Sequence, residues 1–205
     1  MVRWWFMVGL LASGLPAFAN EKFSIDGDTV IYDTENLDEE AEISSSDVDD
    51  LRDLLRANPE VTRLALNSAG GGYFAGLNLG RLVADFEIDT HIINECSSSC
   101  FYVFLGGINR TMARGAELGL HHTSWSAESI EGYFEDEQES SGWANPFDMT
   151  EELYIETQME LYDELIFVVS RGVDPEFAIE SIRVRRDGLW YPTRQKLRAA
   201  GVLTE

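Results

Sequence analysis

Positive charge is scarce in this chain: 15 Lys and Arg stand against 37 Asp and Glu, a formal net charge of −22. Nucleic acids and anionic membranes both bind through a basic face, so this balance excludes them as partners. Long apolar runs are missing beyond the N-terminus, and with them any downstream helix able to span a membrane. Cysteine and histidine are few: Cys96, Cys100, His91, His121 and His122 make up the full set. Four of these, Cys96, Cys100, His121 and His122, lack the ligand spacing of a zinc motif. No metal is expected, and no cofactor.

What is present describes a globular protein. With 205 residues, 44% of them hydrophobic and 25% charged, the chain can bury one real core. Its first residues read as a targeting segment. Arg3 supplies a positive start, Trp4 to Leu15 is apolar but short for a bilayer, and Ala17-Phe18-Ala19 is a small-x-small cleavage site. The expectation is a signal peptide over 1–19, cut after Ala19, leaving 20–205 as a single domain that is periplasmic or secreted. In an oxidising compartment Cys96 and Cys100 can pair. At helical spacing their Cα atoms would lie about 6 Å apart, within disulfide reach.

The chain then alternates strands and helices. Two short β runs flank Asp26-Gly27-Asp28, and an acidic loop follows to Ser46, which can cap a helix carrying Val48, Leu51, Leu54 and Leu55. Asn58-Pro59 stops it. Thr62 to Leu66 is a strand, followed by the loop Gly70-Gly71-Gly72 and a helix with Ala75, Leu79, Leu82, Val83 and Phe86 at helical spacing. A second strand runs from Ile88 to Asn94, and a short apolar helix ends at Gly106-Gly107. Ala116 to His121 is a further strand. This β-α-β-α order predicts an α/β fold with largely parallel strands. The stretch 123–149 is acidic and reads as an irregular insertion. From Thr150 to Ser170 a long helix carries the stripe Ile155, Met159, Tyr162, Ile166 and Val169. Asp174-Pro175 and Thr193 start two closing helices.

Ser97, Ser98 and Ser99 fall at a strand-to-helix junction. Such a turn can present a hydroxyl, and the free N–H groups at a helix start can stabilise an anion; it equally suits a plain N-cap. A glycine loop after one strand, a serine atop the next and a histidine ending a third together fit a serine nucleophile, its base and a backbone donor.

Four segments carry a family resemblance: Leu66-Asn67-Ser68-Ala69-Gly70-Gly71 with Ala75-Gly76 behind it; Ser98 to Gly107, where a serine precedes a glycine by nine residues; Leu118-Gly119-Leu120-His121; and Trp190-Tyr191-Pro192-Thr193 through Ala200-Gly201-Val202-Leu203. Together they resemble the Clp protease and crotonase superfamily, and in particular the exported Clp-protease-like proteins of bacteria. The first segment has Ala69 where the family has proline. The resemblance implies a ββα superhelix with largely parallel strands and C-terminal helices. It implies a serine hydrolase or peptidase acting on a peptide or protein, with Ser98 as nucleophile, His121 as general base, and the N–H groups of Gly71 and Ser99 as oxyanion hole. The family's acid falls near Leu189 here, not an acid; Asp187, two residues away, is one candidate for the third member, beside a Ser–His dyad without an acid or an acid from elsewhere in the chain. Homo-oligomers are also implied, and Leu153, Leu161, Phe167 and Val168, off the stripe of the long helix, could bury against a neighbour.

Two branches of that superfamily do not fit. A Ser–Lys dyad needs a lysine in the matched core, and the chain has only Lys22 and Lys196. Acyl-CoA chemistry requires a polyphosphate to approach a strongly acidic, exported protein. The alternative that remains is a non-catalytic binding or scaffold protein on the same fold.

Overall fold

The computed structural model describes residues 21–37, 41–184 and 188–205. The targeting segment expected over 1–19 lies outside them. The fold is mixed α/β, built on a six-stranded sheet. It opens with the hairpin β1 (Phe23–Asp26) and β2 (Thr29–Asp33), antiparallel about the Gly27-Asp28 turn. Every later pairing is parallel: β2 with β3 (Arg63–Ser68), β3 with β4 (Asp89–Ser97), and β4 with both β5 (Arg110–Met112) and β6 (Glu117–Gly119). The nine residues of β4 therefore carry two short strands end to end along one edge. β5 takes the start, Thr90 to Ile92, and β6 takes the end, Glu95 to Ser97. The sequence reading missed β5, since three residues are too few to show a period.

Helices α1 (Ser46–Ala57), α2 (Tyr73–Asp85) and α3 (Cys100–Leu105) fill the crossovers. α1 buries Leu51, Leu54 and Leu55 as its spacing predicts, and ends at Asn58, whose Nδ2 and N–H both donate to the Leu54 carbonyl. Its start differs from expectation. Ser46 lies inside the helix, and the N-cap, Ser45, makes no side-chain cap. Asp47, fully buried, does the work instead: it accepts from the Ser44 N–H at 2.8 Å, the Tyr32 hydroxyl at 2.5 Å and Lys22 Nζ at 2.9 Å.

α3 is buried over its whole length. α2 meets it backbone to backbone. A Cβ on Gly76 would lie 2.5 Å from the Ser99 carbonyl oxygen, and one on Gly80 would collide with that of Tyr102. Only glycine permits such an approach. A helix end buried this deeply needs partners for its last carbonyls. Thr90 Oγ1 donates to Phe104 O at 2.7 Å, Arg171 to Leu105 O and Gly106 O at 3.0 Å each, and Arg110 Nη1 to Gly107 O at 3.1 Å. Both cations also oppose the negative end of the helix.

The C-terminal half corrects two expectations. The stretch 123–149, expected to be irregular, holds the helix α4 (Ala127–Ser141), capped by Ser126 and ended by Gly142 at φ +74°. The long helix α5 (Pro146–Ser170) starts four residues before Thr150, with Asn145 as N-cap and Pro146 in its first turn. Its expected stripe faces outward: Ile155, Met159, Tyr162, Ile166 and Val169 are exposed. Phe167 and Val168 are buried instead, with Met149 and Glu164, because α5 docks on the core chiefly through its last turns. Helices α6 (Pro175–Ser181) and α7 (Arg194–Ala199) start at Asp174 and Thr193, whose side chains accept from the following N–H groups.

Arg110 ties the C-terminus to the sheet. It is buried, and its Nε donates to Val202 O at 2.8 Å and its Nη2 to Gly201 O at 2.7 Å. Burial, and the neighbouring Arg171, lower its pKa to about 10. Arg110→Met should keep the volume but strip the carbonyls of Gly107, Gly201 and Val202 of their donor. Each buried acceptor left bare costs roughly 1–3 kcal/mol. We expect urea denaturation to show a loss of about 2–4 kcal/mol, and an unchanged midpoint would contradict this role.

Candidate active site

β3 ends at Ser68 and delivers the glycine loop. Asn67 fastens it on two sides, donating from Nδ2 to Asp33 at 3.0 Å and accepting at Oδ1 from the Glu95 N–H at 3.3 Å. Ser68 Oγ accepts from the Gly70 N–H and from Thr34 Oγ1, while Glu35 accepts from the Ala69 N–H. Ile43 then brackets the glycines, donating to Gly70 O and accepting from the Gly72 N–H, both at 2.8 Å. Gly70 has φ +109°, and a Cβ there would stand 2.7 Å from the Ser98 Cβ. The loop is thus pressed directly onto the serine turn.

The three serines are sorted by their partners. Ser97 ends β4 and donates to Glu95 Oε1 at 2.6 Å, in a group that also takes in the Tyr191 hydroxyl. Ser98 sits in the left-handed region at φ +55°. That conformation is unfavourable for a side-chain-bearing residue and concentrates at functional turns. Its own N–H donates to Gly119 O at 2.9 Å, so the register of β6 against β4 holds the turn. Ser99 is buried and its hydroxyl has no partner among the described residues.

Two residues past β6, His121 closes on the turn. Its Nε2 lies 2.8 Å from Ser98 Oγ, and its Nδ1 lies 2.8 Å from the carbonyl oxygen of His122. A carbonyl can only accept, so Nδ1 carries the hydrogen and Nε2 is left as the acceptor for the serine hydroxyl. This is the tautomer a general base needs. His122 is anchored in turn by its N–H to Val184 O at 2.8 Å. Asp187 lies outside the described residues. Among those described, a backbone carbonyl stands where an acid would orient the ring.

Gly71 and Ser99 border the same cavity as Ser98 and His121. Neither backbone N–H donates to another group among the described residues. The cavity, of about 610 Å³, extends along Tyr73 and Phe74 of α2, the segment Thr123-Ser124-Trp125, and Glu160 of α5. Tyr102, also in its lining, is buried and hydrogen-bonded to Glu164 and Thr123. Burial pushes both Tyr102 and Glu164 up in pKa. Sequence reading missed these α5 residues, and no spacing rule relates α3 to a helix that starts some forty residues later. His91 stands apart, with Nδ1 at 2.7 Å from Thr111 Oγ1.

Cys96 and Cys100 form a disulfide that brackets Ser98, with Cα atoms 5.3 Å apart and both residues fully buried. The closer approach than helical spacing implies arises because Cys96 belongs to β4 and only Cys100 to α3.

No protein-family model and no curated protein matches the chain. Among solved structures, a mutant ClpP1 of Listeria monocytogenes is similar to it with a TM-score of 0.58 and 14% sequence identity, over 87% of this chain and 90% of that one. At that identity the likeness is one of fold, a Clp-protease-like fold.

The disulfide closes a loop too short to restrict the unfolded chain much, so Cys100→Ala should cost about 2 kcal/mol or less in global stability. Its local effect should be larger, because the bond fixes where the Ser98 hydroxyl and Ser99 N–H point. A displacement of about 1 Å can cost on the order of a hundredfold in reactivity. The expected result is Ser98 labelling by a fluorophosphonate slowed by about tenfold or more under conditions where the variant is fully folded. Unchanged labelling would leave the bond a packing feature.

Proposed function

We propose that the protein is an exported serine hydrolase of the peptidase kind, acting through the pair Ser98 and His121. The observation that carries this reading is the 2.8 Å approach of His121 Nε2 to Ser98 Oγ, with Nδ1 held on the His122 carbonyl. Ser98 Oγ attacks the acyl carbon as its proton passes to His121 Nε2. The carbonyl oxygen becomes an oxyanion facing the N–H groups of Gly71 and Ser99. The tetrahedral intermediate collapses, His121 returns the proton to the leaving amine, and an acyl-serine remains. Water, deprotonated by His121, then releases the acid and restores Ser98. The His122 carbonyl fixes the ring without bringing a full negative charge to the imidazolium, and Asp187 is the acid best placed in sequence to supply one. The Clp-protease-like fold supports a peptidase in kind. Arg3, the apolar run to Leu15 and Ala17-Phe18-Ala19 support export, with Asn20 as the mature N-terminus.

A fluorophosphonate probe tests the pair directly. Wild-type protein should label at Ser98 and Ser98→Ala should not. His121→Ala should slow labelling by about 10²–10⁴-fold, the usual worth of a general base. Asp187→Asn should change the rate by less than about threefold if the carbonyl suffices to hold the ring, against on the order of 10⁴-fold where an acid is needed. A silent wild-type protein would sink the hydrolase reading and favour a binding or scaffold role.

Self-association belongs to the same reading. Tyr154, Ile155, Met159, Tyr162 and Ile166 leave α5 apolar and exposed over several turns, more than a monomer usually presents to water. We expect light scattering at micromolar concentration to give a homo-oligomer. A monomer would refute it.

A further inference from the structure

We propose that the cavity beside Ser98 is a specificity pocket for a cationic side chain, a lysine or arginine of the substrate. The proposal rests on the hydrolase reading of Ser98 and His121 and names the substrate class that this site takes.

The lining is rich in acceptors and, among the described residues, contains no Lys or Arg. Ser99, 3% exposed, has its Oγ buried in the structure without a hydrogen-bond partner, and the Ser124 Oγ is in the same condition. A buried hydroxyl without a partner is costly, and such groups in native structures call for an explanation. Both serines line the cavity. Glu160 lines it as well. Its backbone carbonyl accepts from the Tyr73 hydroxyl at 3.1 Å, but its carboxylate makes no hydrogen bond or ion pair among the described residues. Burial, and the nearby Glu156, raise its pKa, as expected of an acid short of a counter-charge. The other polar groups at this end are already engaged, Tyr102 with Glu164 and Thr123.

A carboxylate can only accept, and a serine hydroxyl can accept as well as donate. The ligand group that meets an unpaired carboxylate and can also donate to serine hydroxyls of the same lining is a multi-donor cation, an ammonium or a guanidinium. The remaining walls suit its stem. Tyr73 packs edge-on against Phe74 and Tyr102, with ring centroids 5.0 and 5.6 Å apart, and Trp125, itself edge-on to Tyr133, is also in the lining. Aromatic faces accommodate methylene groups and attract a cation laid against them. The field of a −22 protein draws such a substrate in. An adjoining groove of about 1090 Å³ shares Tyr73, Phe74, Trp125 and Glu160 with the pocket and continues past Leu77, Ile130 and Leu153, giving the flanking peptide an apolar track. The cation of that groove is Arg81, whose Nη1 donates to Asn78 Oδ1 at 3.4 Å on α2.

Peptidyl diphenyl phosphonates that differ only in lysine or norleucine at the reactive position test this on the full-length protein. The lysine probe should label Ser98 at least about tenfold faster, the worth of one charge-assisted hydrogen bond. In Glu160→Gln the ratio of the two rates should fall close to one, and in Glu160→Lys a glutamate probe should overtake the lysine probe. Because each comparison is a ratio measured on one sample, a partly unfolded variant does not distort it. Equal rates for the two probes on wild-type protein would overturn the pocket while leaving the hydrolase reading intact. If neither probe labels Ser98, that reading fails, and binding decides the pocket. N-acetyl-lysine methylamide quenching or shifting Trp125 fluorescence at least about tenfold more tightly than its norleucine analogue, with the difference lost in Glu160→Gln, would uphold a cation site. Equal or absent responses would overturn it.

Discussion

The complete burial of α3 is the constraint on which the rest of the structure depends. A helix of six residues brings polar backbone into the core at both ends, and neither end can be left to water. At its C-terminal end the answer is borrowed from distant chain: Thr90 from β4, Arg110 from β5 and Arg171 from beyond α5 donate to four successive carbonyls. Along its flank, Gly76 and Gly80 let α2 lie against the backbone itself. These contacts fix α3 in position and direction, and hence fix the turn that precedes it.

That turn then distributes three adjacent serines among three environments. The sheet takes Ser97, the histidine takes Ser98, and the cavity takes Ser99. The left-handed backbone at Ser98 is held from three sides, by the Gly119 carbonyl on its N–H, by the Cys96–Cys100 bridge around it and by Gly70 pressed onto its Cβ. Strain of this kind persists only where the surroundings over-determine it. The parallel register of β6 on β4 supplies both that carbonyl and the path that carries His121 to the hydroxyl. Ser98 and His121 are therefore positioned by one strand pairing.

The far side of the site is built differently. α4 buries none of its residues, and α5 leaves most of its length exposed, joining the core chiefly through Phe167 and Val168. What α5 turns toward the site is acidic. Glu164 is buried against Tyr102, and Glu160 lines the cavity. The serine turn thus faces a wall that carries negative charge in an otherwise aromatic setting.

The sequence by itself determined whatever is local or periodic. The order of strands and helices, the glycine loop, the serine turn, the caps at Asp174 and Thr193 and the buried face of α1 all follow from neighbours within a few residues, where propensity and spacing act. The family motifs placed Ser98 and His121 as a pair, and the structure brings their side chains within hydrogen-bonding distance. Other features depended on chain far away and were decided only by the tertiary structure. The orientation of α5 could not be read because its apolar residues lie on more than one face, so periodicity named a stripe that the fold leaves exposed. The helix α4 was obscured by its acidic, core-free composition, which looks like a loop. The tautomer of His121 was invisible because a backbone carbonyl, which has no sequence signature, holds the ring. The cap that Ser46 was expected to provide is not made, and the buried carboxylate of Asp47 instead ties the chain before the helix to Lys22, Tyr32 and the Ser44 N–H. Short-range patterning sets which elements form; which of their faces meet, and which groups then hydrogen-bond, is fixed by the need to satisfy buried polar atoms across the whole chain.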